Sequence, residues 1–489
     1  MAQSGQAKKT APRRPPPGGP LSRANVTPLP ASTTITAARW LTGRYDPPGN
    51  QWGDILPTVW SDDGSTYVLM DDGGVDVPLA GGFWRQSLAR ISGVPPQLRF
   101  RRVGDPNLPA PHTWGQIGSN TDKDDGPLGP YYSIGFAEAG GVFYATQQRD
   151  WNWSANGPFA GLVGIAYSTD HGTTWRFPRN SFPAPLGNLT FLDGGGAGGA
   201  YPDGYMYAIG TEREFNASRL LLGRVQTDVA SVTDPGQWQW YAGSTTAGGA
   251  SVPQWSSSVS AAVPVLNWGN HITYPQMAYD PGLHRYLLTF TYSYSSKPPA
   301  VWNSGAQLVI AESPTPWGPF SFVATSREFG PSNGYGAGFP SQWISPDGRT
   351  LWLKWAANFA GCAKGLDCSG AYGFNVAQVR LTVSAPAPAP ARQAGDSPAN
   401  PASTGPANPA STGPANPAST GPANPASTGP AKPASTGPAK PASTGPAKPA
   451  SAGAARPHQT RKLLYVLSGL SLPLLLLFVF DRRRRLRLR

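Results

Sequence analysis

Between residues 45 and 382 the apolar positions fall in short runs, and almost nowhere do they recur at the three-to-four-residue spacing of an amphipathic helix. The clearest runs are Ser65–Met70, Gly141–Thr146, Gly161–Ser168, Tyr205–Gly210, Arg219–Val225, Tyr286–Tyr294, Ala306–Glu312, Thr350–Trp355 and Phe374–Val383. Aromatic and β-branched residues are common in them, and Gly, Pro, Asn and Asp punctuate the chain between them. That spacing predicts an all-β sandwich, barrel or propeller. The runs gather into units near 50–103, 130–182, 186–243, 255–325 and 330–383. Four strands per unit would make these the blades of a five-bladed β-propeller.

Two turns sharpen that choice. Ser168-Thr-Asp-His-Gly-Thr-Thr-Trp175 has the form Ser-x-Asp-x-Gly-x-Thr-Trp, the Asp box, in which Asp and Gly close a turn between two blade strands and Trp packs beneath. Asp170 is therefore expected to be structural. Ser345-Pro-Asp-Gly-Arg-Thr-Leu-Trp352 is a second strand–turn–strand of the same flavour.

Composition divides the chain. The formal charge of +12 belongs to the flanks: of 39 Lys/Arg, 20 lie in residues 1–44 and 383–489, against 2 of the 27 Asp/Glu. Residues 45–382 keep 19 basic and 25 acidic residues, a net of −6, which argues against a nucleic-acid-binding domain. All 17 Trp lie between Trp40 and Trp355, in a stretch long enough for a large core. Cys362 and Cys368 sit in a Gly-rich loop, where a short disulfide is expected and would fit an oxidising compartment; two free thiols are the alternative. No Cys or His spacing resembles a zinc site, and neither metal nor cofactor is expected.

Residues 1–44 carry Lys8, Lys9, Arg13 and Arg14 before Pro15, and read as a disordered basic segment without a recognisable signal peptide. From Asn400 an octad, Asn-Pro-Ala-Ser-Thr-Gly-Pro-Ala, repeats in seven units to Ala455, Lys replacing Asn at 432, 440 and 448. Proline in every unit forbids a packed core, so 384–462 is expected to be an extended stalk. Leu463 to Phe480 is an uncharged run of eighteen residues that would span a thin bilayer as one transmembrane helix. The Arg-rich 481–489 behind it marks a cytoplasmic end. These signals set the propeller outside a membrane with the C-terminus inside, against the missing signal peptide.

Candidate chemistry sits in Trp52–Gly74. Asp54 precedes the apolar run Ile55–Trp60, Asp62-Asp63-Gly64 supplies a turn, and Tyr67-Val-Leu-Met70 returns to Asp71 and Asp72. A hairpin so built brings Asp54 and the Asp71/Asp72 pair to one edge, and two converging carboxylates are what glycosidic-bond cleavage requires. Spacing alone leaves open that they are solvated acids flanking turns. The segments Gly53-Asp54-Ile-Leu-Pro57, Leu69-Met-Asp-Asp72-Gly, Tyr205-Met-Tyr-Ala-Ile-Gly210, Arg219–Val225, Trp238–Gly243, Ala311–Pro319 and Ser345–Trp352 resemble five-bladed-propeller glycosidases. The likeness is greatest to the uncharacterised-domain family numbered 4185, which includes endo-acting arabinanases. That resemblance implies catalytic aspartates from the first blade, falling on Asp54 and Asp72. The family strand usually ends Gly-Asp, whereas this one reads Met70-Asp71-Asp72, so Asp71 stays an accessory candidate.

Further accessory candidates are Glu212, in Gly210-Thr-Glu-Arg213, with Arg213 beside it, Asp150 and His271. Trp151 and Trp153 are candidates for stacking on sugar rings. Each also has a bland reading: a solvated loop acid, an ion-pair partner, a hydrogen-bonded histidine, core aromatics. The implied activity is a membrane-anchored glycoside hydrolase cleaving furanosidic, arabinan-like polysaccharide. The alternative is a non-catalytic surface-displayed carbohydrate-binding or adhesin propeller. A sialidase is disfavoured by the single clear Asp box and the lack of an Arg-Ile-Pro signature before it.

Overall fold

The computed structural model describes residues 19–43, 51–76, 84–103, 131–149, 161–178, 180–199, 201, 203–213, 215–247, 250–293, 306–327, 334–357 and 372–384. The expected Cys362–Cys368 disulfide, the stalk beyond Ser384 and the apolar run 463–480 lie outside the described residues. Among the described residues no helix is long and apolar enough to cross a membrane.

The chain runs through β1 (Ile35–Trp40), β2 (Gln51–Asp54), β3 (Thr58–Trp60), β4 (Thr66–Val75), β5 (Trp84–Ser92), β6 (Arg99–Arg102), β7 (Tyr131–Tyr132), β8 (Phe136–Ala139), β9 (Val142–Arg149) and β10 (Leu162–Ser168). It continues through β11 (Asn188–Phe191), β12 (Tyr205–Thr211), β13 (Ala217–Gln226), the short helix α1 (Val229–Thr233), β14 (Gln239–Ala247), β15 (Ala250–Ser256) and β16 (Leu266–Asp280). It closes with β17 (Arg285–Ser293), β18 (Ala306–Ser313), β19 (Ser321–Arg327), β20 (Gly334–Gly338), β21 (Thr350–Ala357) and β22 (Asn375–Val383). Each of the nine apolar runs read from the sequence overlaps a strand over its described residues.

Pairing between these strands is antiparallel and mostly between strands close in the chain. A first meander holds β2–β6, a second β7–β10, and a third (β11–β15) joins a fourth (β16–β19) through β13 and β16. The last sheet has the order β1-β22-β21-β20, so the N-terminal strand completes the C-terminal sheet. This corrects the expectation that 1–44 is disordered throughout. Residues 19–43 are part of the fold, with Ala38 paired to Leu381 and Ser384 bonded through its N–H to the Thr34 carbonyl. The basic, Pro-rich start of the segment hid the short strand Ile35–Trp40, whose Ile35 and Ala38 are buried.

The core is divided among the junctions between sheets. In β4, Tyr67 and Leu69 pack on Phe143 and Ala145 of the second meander, whereas Val68 and Met70 pack on Ala356 and Val376 of the last sheet. Both faces of the strand are buried, which is why these strands read as continuous apolar runs rather than as alternation. Similar clusters lie between the second and third meanders, the third and fourth, and the fourth and last. Successive sheets therefore pack face to face and the last packs on the first, an almost entirely β arrangement consistent with a propeller.

The two turn motifs do what their residue types dictate. Asp170 accepts from the Thr174 N–H at 2.8 Å and the Thr174 hydroxyl at 2.7 Å, and buried Trp175 donates to the Gly172 carbonyl at 3.0 Å. Gly172 has φ +84°, which favours glycine, and a Cβ there would come 2.1 Å from Leu88 Cδ2. Asp347 accepts from the Arg349 N–H and the Ser345 hydroxyl in the second turn.

Candidate functional site

Asp54 ends β2, and the chain then leaves the sheet abruptly. Ile55 and Leu56 both take left-handed φ values, 60° and 56°, a conformation that β-branched and bulky residues rarely adopt. The Leu56 N–H donates to the Asp54 carbonyl at 2.7 Å, closing a tight turn before β3. Both side chains are fully buried, and packing holds the strained turn in place. A third restraint comes from β21. Lys354 Nζ donates to the Leu56 carbonyl at 2.7 Å and the Gly336 carbonyl at 2.8 Å.

Across the hairpin, Asp54 is the register partner of Asp71. The sequence-predicted convergence of Asp54 with the Asp71/Asp72 pair thus exists at the level of the strands. The two described carboxylates face different neighbours. Asp54 Oδ2 accepts from the Tyr335 hydroxyl at 2.9 Å, from β20 of the last sheet. Asp71 is wholly buried and its Oδ2 accepts from the Ser133 N–H at 3.0 Å, in the second meander. The Ser133 hydroxyl in turn accepts from Gln86 at 2.8 Å and Gln147 at 2.9 Å. Asp71 is therefore built into an interior polar network. Asp72 follows it in β4; its side chain lies outside the described parts, as do Asp150, Trp151 and Trp153.

An aromatic row leads from Asp54 to the β12–β13 turn. Tyr335 packs on Tyr274 with ring centroids 5.6 Å apart, and Tyr274 packs edge-on against Phe215 at 5.3 Å. Glu212 and Arg213 lie in that turn. Glu212 accepts from the backbone N–H groups of Ser218 at 2.6 Å and Arg219 at 3.2 Å, so its carboxylate ties the turn together. Arg213 donates to Asn270 Oδ1 at 2.7 Å rather than to an acid. His271 stacks on Trp268, centroids 4.5 Å apart and planes at 6°, with Tyr292 edge-on at 5.5 Å. Its Nδ1 meets the Gly269 carbonyl.

Beyond the Asp54 turn a cavity of about 20 Å³, room for one or two waters, is lined by Pro57, Thr190, Asp193, Gln276, Gly338 and Lys354 among others. Burial pulls the Lys354 ammonium down to about 7. Burial also pushes the Asp193 carboxyl up, opposed by its bonds from Ser341 and Gly195. Sequence reading passed over Tyr335 and Lys354. Tyr335 stands in a Gly-rich strand, and its partner is 281 residues away. Lys354 offered one signal, a lone cation in the apolar run Leu351–Ala357.

No protein-family model matches the chain, and no curated protein matches it. Among solved structures, the GH43_1 enzyme from Xanthomonas citri is similar at 12% identity and TM-score 0.39, over 70% of this chain and 92% of that one. The α-L-arabinofuranosidase from Podospora anserina, in complex with cellotriose, gives 10% and 0.37 over 72% and 98%. The catalytic domain of the GH62 α-L-arabinofuranosidase from Coprinopsis cinerea gives 10% and 0.37 over 76% and 97%. At this level of likeness none of them carries the functional reading, which rests on the residues above.

Proposed function

We propose that this chain is a glycoside hydrolase that cleaves furanosidic, arabinan-like polysaccharide on a five-bladed propeller, with Asp54 and Asp72 as its carboxylate pair. The blade count is supported by the packing of each meander on the next and of the last on the first. The observation that carries the functional reading is the cross-strand pairing of Asp54 with Asp71, beside Asp72 within β4. Asp54 is held by Tyr335 and by a strained, fully buried turn, the rigidity a reacting carboxylate needs.

A furanosyl bond breaks through an oxocarbenium-like transition state. Asp54 serves as nucleophile or base, and Asp72 protonates the leaving oxygen. The stalk of 384–462 and the apolar run 463–480 would hold the propeller outside a membrane, with 481–489 on the cytoplasmic side.

The test is reducing-end release by the full chain on a panel of arabinan-rich polysaccharides, beside Asp54→Asn and Asp72→Asn. Each variant should lose about 10²–10⁴-fold in rate while its circular dichroism and Tm stay those of the parent. Cleavage that survives both changes, or no cleavage of any polysaccharide, overturns the reading. Glycan binding without cleavage would then favour the adhesin alternative.

A further inference from the structure

At the end of β4 remote from Asp54, three segments bring a mixed nitrogen and oxygen donor set together. Asp62 lies in the β3–β4 turn, Glu138 on β8 and His171 in the Asp-box turn after β10. One ligand atom from each lies within 4.8 Å of the others. His171 Nε2 is 2.7 Å from Asp62 Oδ1, and Glu138 Oε1 accepts from the Asp62 N–H at 3.3 Å. Glu138 is wholly buried, and among the described residues its Oε2, sealed from solvent, has no hydrogen-bond partner. A buried carboxylate oxygen is not ordinarily left so, because its desolvation goes uncompensated.

The surroundings hold these groups in place. The His171 ring lies along Tyr67, centroids 6.2 Å apart, with Phe143 edge-on at 5.4 Å. Backbone crowds the acids: a Cβ on Gly198 would meet Asp62 Cβ at 3.2 Å, and one on Gly199 would meet the Glu138 carbonyl at 1.9 Å.

We infer that Asp62, Glu138 and His171 form a divalent transition-metal site, of the zinc class, that ties the first two meanders together. The imidazole nitrogen selects against calcium and magnesium, which take oxygen ligands. Three protein ligands and a water complete a tetrahedral zinc sphere. Bonds of about 2.0–2.2 Å place neighbouring ligand atoms about 3.3 Å apart, so the His171–Asp62 contact opens by roughly half an ångström when the ion enters. His171 sits on a partly exposed turn and can make that move. The ligands come from positions 62, 138 and 171, separated by 76 and 33 residues, which is why no sequence spacing announced them.

The full chain, stripped with EDTA and dialysed, is titrated calorimetrically with zinc chloride and melted with and without excess ion. One tight site whose occupation raises Tm is expected. Glu138→Gln, which keeps the shape of the side chain, and His171→Ala should each weaken that site by at least about tenfold, since even outer-shell changes cost that much. Both variants should remain folded without metal, as judged by circular dichroism. Affinity unchanged in both variants places the ion elsewhere and overturns the inference, as does the absence of binding. Calcium chloride that raises Tm as far as zinc does, and still does so in His171→Ala, overturns the nitrogen-ligated assignment.

Discussion

Asp280, the last residue of β16, shows what one side chain decides. Its Oδ1 accepts from the N–H groups of Gly282 and Leu283 at 3.0 and 3.1 Å, while buried Oδ2 has no hydrogen-bond partner among the described residues. Burial pushes its carboxyl up to about 6. The folded state therefore binds the extra proton between about pH 4 and 6, and stability falls as pH rises through that window. Asp280→Asn removes the titration. Relative to the parent, the variant should gain on the order of 3 kcal/mol on going from pH 4 to pH 7, read from denaturant midpoints at the two pH values. A difference independent of pH would sink this account. Tyr335→Phe tests a second residue. It should lower the rate of cleavage by about tenfold with Tm little changed, since one hydrogen bond to a charged group is lost. A rate equal to that of the parent would mean that Tyr335 does not position Asp54. Asp170 was legible in sequence because its partners lie within four residues. Tyr335 was not, because its partner is fixed only by the closure of the fold.

At the scale of the element, legibility followed burial on two faces. The runs through β4, β9, β17 and β21 announced themselves because neighbouring sheets cover both sides of each strand. β1 did not, since its six residues, Ile-Thr-Ala-Ala-Arg-Trp, stand in a Ser-, Thr- and Pro-rich surround. Yet β1 covers the edge of β22, and its Ile35 is fully buried in the cluster with Leu351, Leu353 and Val379. A chain begun at residue 45 would bare that cluster and leave β22 an open edge. Fully burying one Ile or Leu side chain contributes about 1.5–3 kcal/mol. Ile35 with Leu21 should thus cost several degrees of Tm when removed, and the shortened protein should self-associate more readily at its new edge. Calorimetry and sedimentation check both effects, and an unchanged Tm would show that β1 is dispensable.

For the molecule as a whole, the chain must close on itself, and it does so twice. The outer closure is β1 on β22. The inner one is Lys354, whose ammonium spans the Leu56 carbonyl after β2 and the Gly336 carbonyl in β20, joining the first and last sheets beneath Asp54. That amine is held near 7 by burial, against an ordinary value near 10.5. Between those limits the unfolded chain carries a proton that the folded one does not, so stability rises with pH across the window. Below about pH 7 both states are charged and the cost of the buried ammonium is present in full; above about 10.5 neither is charged and that cost vanishes. Neutral or charged, the amine can donate to both carbonyls, whereas Lys354→Met leaves two buried acceptors unmet. The Met variant should therefore compare best with the parent at pH 7 and lose ground steadily towards pH 10, a trend that other ionisations common to both proteins do not create. Thermal melts of the pair at several pH values between these limits measure it. Parallel curves would mean that Lys354 does not titrate in the fold, and that the inner closure is a permanent charge rather than an amine that sheds its proton near neutrality.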